Sequence, residues 1–120
     1  MKIASWNVNS IRVRLPHVLA WLQEQQPDIL ALQETKVIDA LFPSQQFTDI
    51  GYQCWYAGQH SYNGVAFISK LPLKAISAPQ LLPENNDKRL LLATVDDLRV
   101  CNVYVPNGAA LDSPKYLSLI

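Results

Sequence analysis

The chain has 120 residues, 49% of them apolar, and ten Lys plus Arg balance ten Asp plus Glu for a formal net charge of zero. That is enough chain and enough apolar surface for one domain spanning 1–120 with a packed core, which excludes an extended disordered tail. Zero net charge excludes the bulk basic footprint of many nucleic-acid binders, so any contact with a polyanion rests on a few placed cations.

Met1-Lys2-Ile3-Ala4 runs straight into a strand-like pattern, without the apolar core of a signal peptide. No segment approaches the ~18 continuous apolar residues of a membrane span. A cytoplasmic protein with no membrane partner is expected. Cys54 and Cys101 lie far apart without metal-ligand spacing and read as two buried thiols inside strands.

Lys2 to Val8 is short and β-prone, a first strand. After the polar break Asn7-Val8-Asn9-Ser10, Leu15, Val18, Leu19 and Leu22 follow the i, i+3, i+4, i+7 spacing of a helix. Pro16 suits its first turn, and Pro27 ends it. Ile29-Leu30-Ala31-Leu32 is an apolar run of strand length, so the chain opens β–helix–β, which favours a parallel pair with a right-handed crossover. Pro43 to Ile50 reads as a short helix or turn. Tyr52 to Tyr56 and Val65 to Ser69 read as strands, and Leu73 to Ser77 as a short edge strand. Leu81 to Lys88 reads as a loop. Leu90 to Val95 and Val100 to Val105 form a hairpin around Asp96-Asp97-Leu98. Tyr116 to Ile120 reads as the start of a helix.

Three polar clusters follow strands, and the carboxyl ends of strands are where α/β sheets place their ligand sites. Alternation puts Asn7 and Asn9 on one face, where two amides could meet a phosphate oxygen or where Asn and Ser simply write a turn. In Gln33-Glu34-Thr35-Lys36 the carboxylate is either a Mg²⁺ ligand, since Mg²⁺ takes few carboxylates and keeps its waters, or a solvated loop residue. Tyr104-Val105-Pro106-Asn107 offers a phenol and an amide, or a strand end followed by a turn.

Taken together these runs resemble a known family. Ser5-Trp6-Asn7-Val8-Asn9-Ser10-Ile11-Arg12, Pro27-Asp28-Ile29-Leu30-Ala31-Leu32-Gln33-Glu34-Thr35-Lys36, Tyr62-Asn63-Gly64-Val65-Ala66 and Tyr104-Val105-Pro106-Asn107-Gly108 occur in the order seen in exonuclease III and the apurinic/apyrimidinic endonucleases. The resemblance runs from about Lys2 to Tyr116, and Leu-Gln-Glu-Thr-Lys is its most specific piece. It implies the N-terminal half of a two-sheet α/β sandwich, built on a mixed sheet with the β–helix–β start. It implies a nuclease of base-excision repair, dependent on Mg²⁺ or Mn²⁺, with 3′–5′ exonuclease and abasic-site endonuclease activity. Its partner is double-stranded DNA with abasic sites or 3′ ends.

Position by position, Glu34 is similar to the family's metal-binding glutamate. Asn7 resembles the asparagine beside the metal and the scissile phosphate. Tyr104 and Asn107 resemble the tyrosine and amide that meet the phosphate. Arg12 and Tyr62 match positions that touch DNA, and Lys36 stands near enough to meet a phosphate. Asn9 stands where some members carry aspartate. The chemistry agrees, because phosphodiester hydrolysis needs a metal to neutralise charge and donors to hold the phosphoryl oxygens.

The family's second half carries Gly-Asp-x-Asn and Ser-Asp-His, and neither occurs in these 120 residues. His17 reads as a helix-surface residue and His60 as a loop residue rather than a general base. The chain is therefore expected to hold half an active site and one sheet, its inner face exposed and needing a second copy or the absent half to cover it. A non-catalytic interaction module, or a phosphoesterase of the same fold acting on lipid or inositol phosphates, is the alternative reading.

Overall fold

The computed structural model describes residues 1–80, 86–106 and 118–119. The first strand, β1 (Ile3–Asn7), leads into helix α1 (Ile11–Gln25), and β2 (Ile29–Gln33) returns parallel to β1 with Ile3 opposite Ile29 and Asn7 opposite Gln33. A 3-10 turn (Asp39–Leu41) and a short helix α2 (Ser44–Thr48) follow. Next come β3 (Gln53–Ala57) and β4 (Val65–Ser69), both as the residue pattern predicts to within a position. Together they make a mixed sheet in the order β1-β2-β4-β3.

The rest of the chain builds a second sheet. The strands β5 (Lys74–Ser77), β6 (Leu90–Val95), β7 (Leu98–Val103) and β8 (Ser118–Leu119) pair antiparallel in sequence order. The β6–β7 hairpin turns on Asp96-Asp97, and Asp96 takes the positive φ that such a tight connection needs. Ser118–Leu119 was expected to open a helix. It pairs instead with Val100 and Cys101 of β7, because an edge strand's free N–H and C=O groups offer partners that an isolated helical turn lacks.

Both faces of the first sheet are covered by the chain itself. Leu30 and Leu32 of β2 and Ala66 and Ile68 of β4 pack on Val18 and Leu22 of α1 and on Phe47 of α2. On the other face Ile29, Ala31, Val65 and Phe67 meet Leu91, Ala93, Val95 and Val100 of the second sheet. The exposed inner face expected from the sequence is therefore absent. It followed from counting one sheet where the short strands after Leu73 make a second. Every residue of β2 and β4 is buried, which explains why both read as continuous apolar runs rather than alternating ones.

Helix α1 begins four residues before Leu15. Ser10 caps it, its Oγ accepting from Val13 N at 3.3 Å, and the Ile11 side chain is fully buried. Pro16 is consequently the sixth helical residue and lies beyond the first turn. It removes the bond its N–H would make to the Arg12 carbonyl, and both residues lie on the exposed side of the helix. Gln26 ends the helix in the left-handed conformation, its N–H donating to Leu22 O at 2.9 Å, and Pro27 blocks continuation. Among the described residues no helix is long and apolar enough to cross a membrane. Cys54 and Cys101 are free and half-buried within β3 and β7, and burial pushes the Cys54 thiol up to about 12.

Leu30 is fully buried between β2 and α1. Leu30→Ala is expected to cost about 2–5 kcal/mol, read as a lower midpoint in chemical denaturation with an unchanged slope.

Candidate functional site

Where β2 ends, the backbone turns sharply. Glu34 (φ 56) and Lys36 (φ 57) both lie in the left-handed region, as do Asn9 (φ 47), Asn63 (φ 55) and Ser61 (φ 65) close by. Residues other than glycine sit there only when their surroundings hold them, at roughly 1–3 kcal/mol each. The holding bonds come from both sides. Ser10 N donates to Glu34 O at 2.8 Å and Ile11 N to Thr35 O at 3.0 Å, so the start of α1 grips the loop. Opposite, Thr35 N donates to Gly64 O at 3.2 Å and Lys36 N to Asn63 O at 2.9 Å. Gly64 has φ +94, and a Cβ there would lie 2.1 Å from Thr35 Oγ1. Only glycine lets the β3–β4 connection approach this closely.

This double grip aims Glu34 into a hollow of about 420 Å³ lined by Glu34, Lys36, Gln59, Tyr62, Asn63, Asp87, Arg89, Tyr104 and Pro106. Tyr104 arrives from the other sheet, one residue beyond β7, and its hydroxyl donates a hydrogen bond to Glu34 Oε1. Burial first, then the hydrogen bond to Glu34 and that carboxylate's charge, push the Tyr104 phenol up to about 12, and Arg89 opposes them. Tyr104 is thus a neutral donor at physiological pH. Arg89 pairs with Asp87 at 2.6 Å, its main-chain carbonyl accepts from Tyr104 N at 2.7 Å, and its Nε is buried without a partner among the described residues.

The two asparagines part company. Asn7 closes β1, but Asn9 and Ser10 have positive φ, so the strand alternation expected to put both on one face stops at Asn7. Asn7 Oδ1 accepts from Asn9 N at 3.2 Å, while its Nδ2 is buried with no partner among the described residues. Asn9 Oδ1 instead accepts from Lys36 Nζ at 2.6 Å. Lys36 also borders a neighbouring hollow of about 360 Å³ shared with Ser10, Arg12, Val37, Ile38, Leu41, His60 and Ser61. Of the residues expected from sequence, Glu34, Lys36, Tyr62 and Tyr104 therefore line one hollow, and Arg12 adjoins it through Lys36. Asn107 lies outside the described residues. His17 is exposed on α1, edge-on to Trp6, and His60 is an exposed loop residue bonded to Ser61, as expected.

Arg89, Asp87, Gln59 and Asn63 were not foreseen. The signal for Arg89 was in the hairpin. In an antiparallel pair the start of one strand lies at the carboxyl end of the next, and Leu90 opposite Val103 puts Lys88-Arg89 beside Tyr104. Among the described residues no group of three or more His, Cys, Asp or Glu is placed to hold a metal ion. An ion here would rest on the Glu34 carboxylate with few other protein ligands, which is the sparse oxygen coordination of Mg²⁺ or Mn²⁺.

Two outcomes follow from this geometry. Tyr104→Phe should abolish one late tyrosine ionisation in an alkaline ultraviolet difference titration. The raised phenol favours the folded state fully below pH ~10 and loses that contribution as pH climbs through about 12, so the wild type should lose more stability than the variant over that window. Gly64→Ala should cost about 2–5 kcal/mol in thermal unfolding, the sum of a left-handed backbone and the clash with Thr35.

Comparison with known proteins bears on the same residues. A family described as Endonuclease/Exonuclease/phosphatase matches residues 4–117. Exodeoxyribonuclease III of Haemophilus influenzae is 37% identical over 116 residues, covering 90% of this chain and 42% of that protein. The structure of a 3′ phosphatase from Neisseria bound to a product DNA hairpin superposes with a TM-score of 0.86 at 45% identity, covering 95% of this chain and 45% of that one. An AP endonuclease from Archaeoglobus fulgidus gives 0.85 at 42% identity, covering 94% and 44%. The chain thus spans less than half the length of the relatives it matches.

Proposed function

The chain belongs to the endonuclease/exonuclease/phosphatase family, and from that premise we propose that it carries the N-terminal half of the active site of a metal-dependent DNA repair nuclease of the exonuclease III type. The observation that carries this reading is the meeting of Glu34 and Tyr104, from two different sheets, in a hollow that also holds Lys36 and Arg89. A carboxylate able to take a metal ion, beside a neutral phenol, Lys36 and an Arg89 shared with Asp87, suits a phosphodiester better than a neutral substrate. The name of the Neisseria neighbour, which is bound to product DNA, favours DNA as the ligand.

In this proposal Glu34 holds Mg²⁺ or Mn²⁺, with Asn7 beside it. The ion supplies charge neutralisation at the phosphate and a polarised P–O bond. Tyr104 has one O–H, so its hydroxyl would turn from Glu34, once that carboxylate engages the ion, to donate to a phosphoryl oxygen. Among the described residues the buried Asn7 Nδ2 has no partner, and a phosphate oxygen would supply the acceptor it wants. Asn107 is proposed as a second amide donor. Arg12, Lys36 and Tyr62 run along the rims of the two adjoining hollows and are proposed to follow the backbone of double-stranded DNA at an abasic site or 3′ end. A cytoplasmic setting and a single domain over residues 1–120 belong to the same proposal.

Binding tests this half-site directly. Mn²⁺ followed by electron paramagnetic resonance, and an abasic duplex followed by fluorescence anisotropy, should both bind. Glu34→Gln should weaken Mn²⁺ by at least about tenfold, since it removes the carboxylate on which a sparse site rests. Lys36→Ala should lower the salt slope of duplex binding by about 0.9, one phosphate contact. Unchanged Mn²⁺ affinity in Glu34→Gln, or an inositol phosphate competing better than the duplex, overturns the reading.

A further inference from the structure

Among the described residues, two side-chain amides interrupt the apolar packing between the two sheets. Gln33, the last residue of β2, and Asn102 of β7 are both fully buried there. Gln33 Nε2 donates to Asn102 Oδ1 at 3.0 Å and reaches Ser5 Oγ at 3.2 Å. Asn102 Nδ2 donates to the main-chain carbonyls of Leu32 at 3.0 Å and Ala66 at 2.8 Å. The two amides thereby tie β7 to β2 and β4, and reach β1 through Ser5.

Stability does not account for this choice. Two buried amides give up their hydration, and an apolar pair of the same shape holds two sheets together about as well. Amides add direction. Apolar contact is non-directional and tolerates a small slide of one sheet over the other, whereas bonds of 2.8–3.0 Å to fixed carbonyls do not. The place where the slide is stopped also matters. Gln33 immediately precedes Glu34, and Asn102 stands two residues before Tyr104. Glu34 and Tyr104 belong to different sheets, so their hydrogen bond exists only in one inter-sheet register.

We propose that Gln33 and Asn102 are positioning residues, a buried amide clamp that sets the register of the two sheets so that Glu34 and Tyr104 meet. The proposal deepens the functional reading above and rests on it only in taking that pair as the site. Neither amide is among the residues that line the hollow, so the clamp acts through the residues that follow it in each strand.

The test removes both amides together, Gln33→Leu with Asn102→Leu, so that neither is left facing an unpaired partner. The double variant should fold with a cooperative thermal transition. Its crystal structure should show Tyr104 beyond hydrogen-bond distance of Glu34, and its Mn²⁺ affinity should fall roughly 10–100-fold, as for other groups that orient a metal ligand. Exchanging the amides, Gln33→Asn with Asn102→Gln, should recover most of that loss, which a general packing defect would not. A double variant that keeps the Glu34–Tyr104 bond overturns the clamp. In the unsubstituted chain the side-chain amide protons of Gln33 and Asn102 should exchange with solvent only through global unfolding, and exchange by faster local opening overturns it without any variant. If the unsubstituted chain binds neither Mn²⁺ nor duplex, the functional reading fails, while the Glu34–Tyr104 separation in the variant still decides the clamp.

Discussion

Burial of β2 on both faces and along both edges is the constraint from which the site follows. Parallel β1 lies on one side of it and antiparallel β4 on the other, helix α1 covers one face, and the second sheet covers the other. A strand so enclosed has no freedom to shift register, because a slip of one residue would turn Leu30 and Leu32 away from the helix and into the other sheet. The residues leaving its end inherit that rigidity. Glu34 and Lys36 hold left-handed conformations that an unsupported loop would relax, and the start of α1 and the Asn63-Gly64 connection supply the support. Backbone strain, close glycine packing and the candidate metal ligand thus occupy one stretch of chain, a concentration typical of sites rather than of scaffolding.

The candidate site is shared between sheets, and that gives it a particular sensitivity. A carboxylate from one sheet and a phenol from the other report any relative displacement of the two layers as a change in their hydrogen bond. The protonated phenol is sustained by the same enclosure, since burial is the largest cause of its raised pKa. Arg89 opposes that effect and pairs with Asp87, so the hollow combines both charge signs within a short span. The overall neutrality of the chain therefore hides a local organisation that no net-charge argument detects.

Much of the framework was legible in the residues. The helical spacing of Leu15, Val18, Leu19 and Leu22, and the apolar run after Pro27, yielded the β–α–β unit, and Leu-Gln-Glu-Thr-Lys pointed to the candidate site. What escaped depended on distant contacts. Pro16 looked like a first-turn residue because the bonds that fix the earlier start, from Ser10 N to Glu34 O and Ile11 N to Thr35 O, are tertiary. Asn9 looked like a partner of Asn7 because alternation assumes a strand that in fact stops. The strands of the second sheet other than β8 were read from the residues, but that they make a separate sheet was missed, because the assignment rests on pairing rather than on composition. Asn102 carried no local mark at all, since an amide in a strand declares its purpose only when the opposite sheet is known.

The layered build also sorts the tryptophans. Trp6 and Trp21 contact each other at 5.8 Å in the layer between β1 and α1, with His17 against Trp6 at 5.1 Å, whereas Trp55 packs against the core between the sheets. Each interior layer therefore carries its own intrinsic fluorophore. Emission from the first pair follows the docking of the helix, and emission from Trp55 follows the parting of the sheets. The order in which the layers come apart is thus written into the chain's own optical spectrum, without any attached label.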